Sequence, residues 1–404
     1  MRRPAFVTIL CATLLLPAIS PPLSAQDKVV RLGAALSLTG PLASEGRKQQ
    51  RAYELWRELV NAQGGVKVGG DRYRAEIKYY DYESKTPTAT KLVEKLTAED
   101  SIHFILGPFG SGATGAVSAI TERSGATLIA PLASSEALYE RGYKSLFGVL
   151  VPNAYLVSDF YDQLLAQTPK PRTLAIVHRN EFFPAAVAKD AKEAGDKRGL
   201  EVVYFEQFPG GSKDMAGWLT VVKSKSPDIL IVTGNPDDLI LVTKQAKELA
   251  VTPKVLYMVA GPAFTEYVEA LKSDAEFVTT SSWWVENLPY RGPVFGSAED
   301  FGKLWRTRFK EEADYNAAAS SNAALLFQLA IEKAASIEPA KVRQALAGLD
   351  TQTFFGPVKF NDKGQNIAGR IALVQIQKGR RAILAPPDIA TAKLVYPMPD
   401  WRKR

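Results

Sequence analysis

The residues best placed to do chemistry are the serines of two neighbouring turns. Residues 101–135 read SIHFILGPFGSGATGAVSAITERSGATLIAPLASSE. An apolar run from Ile102 to Leu106 ends in a glycine-rich turn, Gly107 to Gly112, that contains Ser111. A helical pattern follows from Ala113 to Arg123. A second apolar run, Ala126 to Ala130, ends in Ala133-Ser134-Ser135. This is one βαβ unit with a hydroxyl-bearing turn at the carboxyl end of each strand. In open α/β sheets ligands bind at that edge. Helix N-termini there offer unpaired N–H groups and the positive end of a dipole, which suits a carboxylate or a phosphate. The chemistry implied is recognition of an anion.

Gly110-Ser111-Gly112-Ala113-Thr114-Gly115 also fits the GxGxxG pattern of dinucleotide sites. That pattern usually follows the first strand of its domain, whereas this one follows the third. Three readings stay open from the residues: a dinucleotide turn, a turn that holds a small carboxylate with backbone N–H groups and Ser111, and a purely structural turn. The position in the chain favours the carboxylate. His103 and His178 are the only histidines, and neither has a partner at ligand spacing, so no metal is expected. No GxSxG surrounds any serine, and no catalytic residue or cofactor is assigned. Trp283-Trp284, with Tyr290 and Phe295, forms an aromatic cluster suited to packing between domains or to stacking on a ligand. Asp237-Asp238 after Pro236 reads as a charged helix start.

The elements that must position these residues fall into two series. Val29–Leu38, Ala75–Tyr80 and the βαβ unit alternate with helices, one of which carries Ala52, Leu55, Trp56, Leu59 and Val60 on one face. The alternation restarts with Leu174–Val177 and continues through Glu201–Phe208, Asp228–Thr233 and Val255–Val259. Strands alternating with helices imply parallel sheets. Three helical patterns after Ser297 come late enough to suggest that the chain returns to its first domain. Crossings are expected near Gly148, Thr280 and Phe355.

The N-terminus combines Met1-Arg2-Arg3, an apolar stretch Ala5–Ile19 and the small-residue end Leu23-Ser24-Ala25, which together read as a cleaved export signal. Cys11, the only cysteine, lies inside it, so disulfides and cysteine catalysis are not expected of the mature chain. The roughly 379 residues that remain after cleavage exceed one ordinary domain. The formal charge of +7 comes from scattered basic residues, without the basic stripe that nucleic-acid binding wants.

Taken together, several segments resemble the solute-binding proteins of branched-chain (hydrophobic) amino-acid ABC importers. They are Leu36 to Pro41, Asn61 to Val66, Leu106 to Ser111, Ala130 to Ser135 with Arg141-Gly142-Tyr143, Gly356 to Asn361, Gly364 to Asn366 and Tyr396 to Pro399. The resemblance spans nearly the whole mature chain and rests on the order of the motifs. It implies an α/β type I periplasmic binding protein fold, with two Rossmann-like lobes joined by three crossover segments. The lobes would be 26–149 with 282–352, and 150–281 with 353–404, after the signal 1–25. It implies a monomer that captures a small carboxylate in the interlobe cleft and works with an inner-membrane permease and its ATPase.

The resemblance places the ligand carboxylate at Ser111 and Ser134, with Leu132 and the flanking Phe109 and Gly110. It puts Phe183 against the ligand, and Asn235 where branched-chain binders carry an aromatic. Other positions depart from the family. Its ammonium-binding glutamate is replaced around Ala260-Gly261-Pro262-Ala263, with Glu266 several residues on. Glu45 falls where an aromatic often covers the ligand, and could accept a hydrogen bond from a ligand hydroxyl. Ser84 and Gly110 stand at the family's disulfide positions. The carboxylate half of the site looks intact and the amine half does not, which keeps amino acids in play but favours an aromatic or other non-amino carboxylate; Glu45 or Asp237 reaching the ammonium would restore amino-acid binding. Exported protein is expected to begin near Gln26 on N-terminal sequencing; retention of Arg2 would contradict a cleaved signal.

Overall fold

The structure, a computed structural model, describes residues 28–403. The expected export signal and Cys11 lie outside the described residues. In chain order the first series is β1 (Val29–Leu36), α1 (Ala43–Ala62), β2 (Val66–Val68), β3 (Asp71–Asp81), α2 (Thr86–Ala98), β4 (Phe104–Leu106), α3 (Ser111–Ser124), β5 (Thr127–Ala130), α4 (Glu136–Tyr139), β6 (Leu146–Gly148) and α5 (Tyr155–Leu165). The second is β7 (Thr173–Arg179), α6 (Phe182–Asp196), β8 (Glu201–Phe208), α7 (Ala216–Lys225), β9 (Ile229–Thr233), α8 (Pro236–Glu248), β10 (Val255–Val259), α9 (Thr265–Leu271) and β11 (Thr279–Ser282). The chain ends with β12 (Arg291–Gly292), β13 (Gly296–Ser297), α10 (Ala298–Phe309), α11 (Tyr315–Ala334), α12 (Pro339–Ala347), β14 (Asp350–Gln352), β15 (Pro357–Lys359), β16 (Ala372–Gln377) and β17 (Arg380–Ala385).

Two sheets organise these elements. The first has the order β2-β3-β1-β4-β5-β6 and the second β17-β16-β11-β10-β9-β7-β8. From β3 to β6 and from β8 to β11 every pairing is parallel. Strand order reverses between β1 and β4 in one sheet and between β7 and β9 in the other. At such switch points the loops diverge to opposite faces and leave a crevice. Every residue of β9 and β10 is buried, as central parallel strands covered on both faces require, whereas edge strand β8 is largely exposed. The chain passes between the sheets after β6, after β11 and before β16, giving two Rossmann-like lobes with three crossovers.

The late helix α11 returns to the first sheet. It packs on α1, β2, β4 and β5, and the Trp56 indole donates to Gln328 Oε1 at 2.9 Å. Its alanines and serines allow close approach, and every residue from Tyr315 to Gln328 is buried. Helix α5 has no counterpart among the elements read from the sequence. Its apolar face (Leu156, Val157, Phe160, Tyr161, Leu164) does carry helical spacing, but it sits in the crossing between the two series, where no strand–helix alternation frames it.

Helix α1 is set against the first sheet by a missing side chain. An ideal Cβ at Gly46 would lie 2.1 Å from the Ser37 carbonyl oxygen. Glycine therefore lets the first turn of α1 rest directly on the loop that follows β1. Gly46→Ala should destabilise the fold by about 1–3 kcal/mol through forced separation. Gly217→Ala, in α7 with open space around it, should stabilise by about 0.5–1 kcal/mol. Urea titration of both variants checks the contrast.

Candidate functional site

The carboxyl ends of the parallel strands in both sheets face one cavity of about 880 Å³. Its first-sheet wall is built by the turns after β4 and β5. A parallel bridge between Phe109 and Leu132 extends their pairing beyond the strands, and Gly110 N–H donates to the Leu132 carbonyl at 3.2 Å. Gly110 caps α3 at φ +84°, a conformation that glycine adopts freely. Helix α3 accordingly begins at Ser111, two residues earlier than the apolar pattern suggested. The N–H groups of its first turn have no acceptor within the helix.

Ser111 and Ser134 both line the cavity and are almost fully buried. Ser111 Oγ accepts from the Ser135 N–H at 3.4 Å. Ser134 Oγ donates to Asn153 Oδ1 at 2.6 Å. Asn153 stands just after the first crossing and was not foreseen. Its Nδ2 has no hydrogen-bond partner, and neither does Ser135 Oγ.

Phe109, Gly110, Leu132, Phe183, Glu45 and Asn235 also line this cavity, so all the residues expected at the site are brought together. Asn235 caps α8, its N–H donating to Asp238 Oδ2 at 3.0 Å. Aromatic rings from both halves form an arc. Phe109 and Phe264 lie 6.2 Å apart, Phe264 and Tyr315 4.8 Å, Tyr315 and Trp283 5.2 Å, and Trp283 and Phe183 6.4 Å. The Trp283-Trp284 pair divides its work. Trp283 faces the cavity, while Trp284 turns away to pack edge-on against Phe301 at 5.6 Å. Trp284 is therefore core and does not flank the slot, because successive residues beyond a strand end point to opposite sides.

A buried ion cluster closes one side of the cleft. Lys48 Nζ in α1 lies 2.6 Å from Asp314 Oδ2 and 2.7 Å from Glu266 Oε1. Burial alone would push the Lys48 ammonium down, but Asp314 and Glu266 hold it above the usual lysine range. Burial would likewise raise Asp314, but Lys48 and then Arg381 keep it below the usual carboxylate range. Ser44 Oγ donates to Glu266 Oε1 at 3.1 Å. Glu266 thus joins α9 of the second half to α1 of the first. The sequence reading missed this cluster, since Lys48 lies more than 200 residues from both acids and meets them only in three dimensions. Glu45, one turn before Lys48, is buried at the cavity wall. Burial pushes its carboxyl up to about 7, with Glu266 and Asp237 adding to the effect and its own backbone N–H and Lys48 opposing it.

Residues 29–381 match the family model described as periplasmic binding protein. The chain belongs to that family. A relative from Pseudomonas aeruginosa, the leucine-, isoleucine-, valine-, threonine- and alanine-binding protein, is 23% identical over 337 residues, covering 83% of this chain and 86% of its own. Among solved structures, the branched-chain amino acid transporter substrate binding protein of Streptococcus pneumoniae in complex with isoleucine superposes with a TM-score of 0.80 at 21% identity, covering 89% of this chain and all of its own. A solute binding protein of an ABC transporter from R. palustris in complex with benzoate gives 0.77 at 18% identity, covering 91% of this chain and 100% of its own. These two structures establish the fold.

In this periplasmic binding protein the Ser84 hydroxyl staples the loop after β1. Ser84 Oγ accepts from Leu42 N–H at 3.0 Å and donates to the Thr39 carbonyl at 2.8 Å. Asp81 holds the same loop through Leu38 N–H at 2.9 Å and the Thr39 hydroxyl at 2.6 Å. Ser111→Ala should weaken binding of a carboxylate ligand by about 1.5–3 kcal/mol with little change in the melting point of the empty protein. Ser134→Ala should do both kinds of damage. It leaves Asn153 Oδ1 buried without its donor, which costs the empty protein about 1–3 kcal/mol. Calorimetric titration and thermal melts of the two variants, side by side, check this asymmetry.

Proposed function

We propose that this protein is the periplasmic solute-binding component of an ABC importer. It captures a small carboxylate between its lobes and presents it to an inner-membrane permease driven by its ATPase. The observation that carries the reading is the single cavity at which the strand ends of both sheets converge, with Ser111, Ser134 and the N-terminus of α3 on one wall. Such an anion cradle needs no metal and no catalytic group. The proposed lobes are 26–149 with 282–352 and 150–281 with 353–404, preceded by an export signal over 1–25. No helix among the described residues is long and apolar enough to cross a membrane, which accords with a protein that is exported whole.

The ligand we assign is an aromatic or other non-amino carboxylate. The turn after β10 presents Ala260 to the cavity where an ammonium would need an acid. Glu266, the nearest glutamate along the chain, is engaged by Lys48 and Ser44. A ligand ammonium buried there without a partner would cost about 3–5 kcal/mol, or two to four decades of affinity. Phe109, Tyr315, Trp283 and Phe183 line the cavity and offer apolar surface for a ring. The P. aeruginosa relative named for leucine, isoleucine, valine, threonine and alanine favours the other reading, an ordinary amino-acid receptor. Calorimetric titration with leucine, phenylalanine and benzoate separates them. A plain acid should bind more tightly than leucine. Leucine binding at least tenfold tighter than every plain acid would return the protein to the amino-acid class.

A further inference from the structure

One corner of the cavity is lined by Glu45 and Tyr82, whose buried Oε2 and Oη make no hydrogen bond of good geometry, and Ser37 Oγ lies behind them against the Tyr82 hydroxyl. Native structures seldom leave such atoms unpaired, because each forfeits its hydration without return. Their proximity follows from the fold. Ser37 and Tyr82 are the first residues beyond the paired strand ends of β1 and β3, where Leu36 faces Asp81, and Tyr82 N–H donates to the Leu36 carbonyl at 2.9 Å. Gly46 rests on Ser37 and so brings Glu45, its neighbour, to the same corner. Glu45 and Tyr82 line the cavity directly.

We infer that Glu45, Tyr82 and Ser37 form a second polar subsite, which binds a hydroxyl substituent on the far end of the carboxylate ligand. The inference rests on the carboxylate reading given above and deepens it to hydroxy-substituted aromatic acids. The chemistry of the corner disfavours an anion. Lys48 on α1 is already shared between Asp314 and Glu266, so a ligand carboxylate would meet Glu45 without Lys48 to balance it. That drives the carboxylate end toward Ser111 and Ser134 and fixes the ligand's direction. A hydroxyl both donates and accepts, so it can donate to Glu45 while accepting from Tyr82 or Ser37. Burial raises the Glu45 carboxyl to about 7 and the Tyr82 phenol to about 12. The corner therefore carries donors as well as acceptors near neutral pH.

The test is calorimetric titration of the mature protein with benzoate and with its three monohydroxy isomers. Wild type, Tyr82→Phe and Glu45→Met are compared, with a thermal melt of each to establish folding. The quantity read is the ratio of hydroxybenzoate to benzoate affinity. At least one isomer should bind wild type tenfold or more tighter than benzoate. Tyr82→Phe, which removes a single oxygen, should cut that ratio to threefold or less, and Glu45→Met should do the same. If no isomer gains on benzoate, or the gain survives both variants, the subsite is overturned while benzoate binding keeps the carboxylate reading intact. If leucine binds and none of the four acids does, the carboxylate reading fails and the inference fails with it.

Discussion

The ammonium of Lys48 is the contact on which the joining of the two halves depends. It is buried with Asp314, which caps α11 by accepting from Ala317 N–H at 3.1 Å, and it reaches Glu266 on α9 of the other half. Removing one member of such a cluster leaves a charge in a low-dielectric interior, which is far more costly than losing a surface pair. The cluster is reinforced by neutral contacts. Thr265 N–H donates to Asp314 Oδ2 at 3.3 Å, and the Arg381 guanidinium bridges the carbonyls of Ala263 and Ala313 at 2.7 and 3.0 Å. These bonds tie the turn after β10 to the start of α11. Glu266, the glutamate nearest that turn along the chain, is itself engaged by Lys48 and Ser44.

Around this fixed side the cavity is chemically divided. One wall offers helix N–H groups and serine hydroxyls, which suit negative charge. Another holds a protonatable carboxyl with two hydroxyls and repels negative charge. Between them the rings of Phe109, Tyr315, Trp283 and Phe183 come from both halves. An apolar ring seated there would contact both halves at once. Its burial would favour the closed arrangement by differential contact, which is the physical requirement for a ligand to shift a hinge equilibrium.

Much of this architecture is legible in the residues. The strand–helix alternation, its restart near Leu174 and the late helical block are local periodicities, and local periodicity survives without knowledge of the fold. The turns carrying Ser111 and Ser134 are legible for the same reason, since a glycine-rich turn after an apolar run marks the carboxyl end of a strand. The segment between β6 and β7 is less so. Asn153, which holds Ser134, sits there beside the unforeseen helix α5, and nothing in its surroundings advertises a hydrogen bond to a turn 19 residues earlier.

The sequence by itself determined the fold class, the two series of elements and the serine-bearing turns, because each is encoded within a few dozen consecutive residues. Only the tertiary structure decided which charges are free. Glu266 reads only as a glutamate several residues past the missing acid, yet it lies beside Lys48. Trp283 and Trp284 read as one aromatic cluster, yet they face different sides. Glu45 read as a single departure, yet it shares its corner with Tyr82 and Ser37. In each case the outcome depends on pairing across the sequence, and such pairing is fixed by sheet register and close packing rather than by residue type.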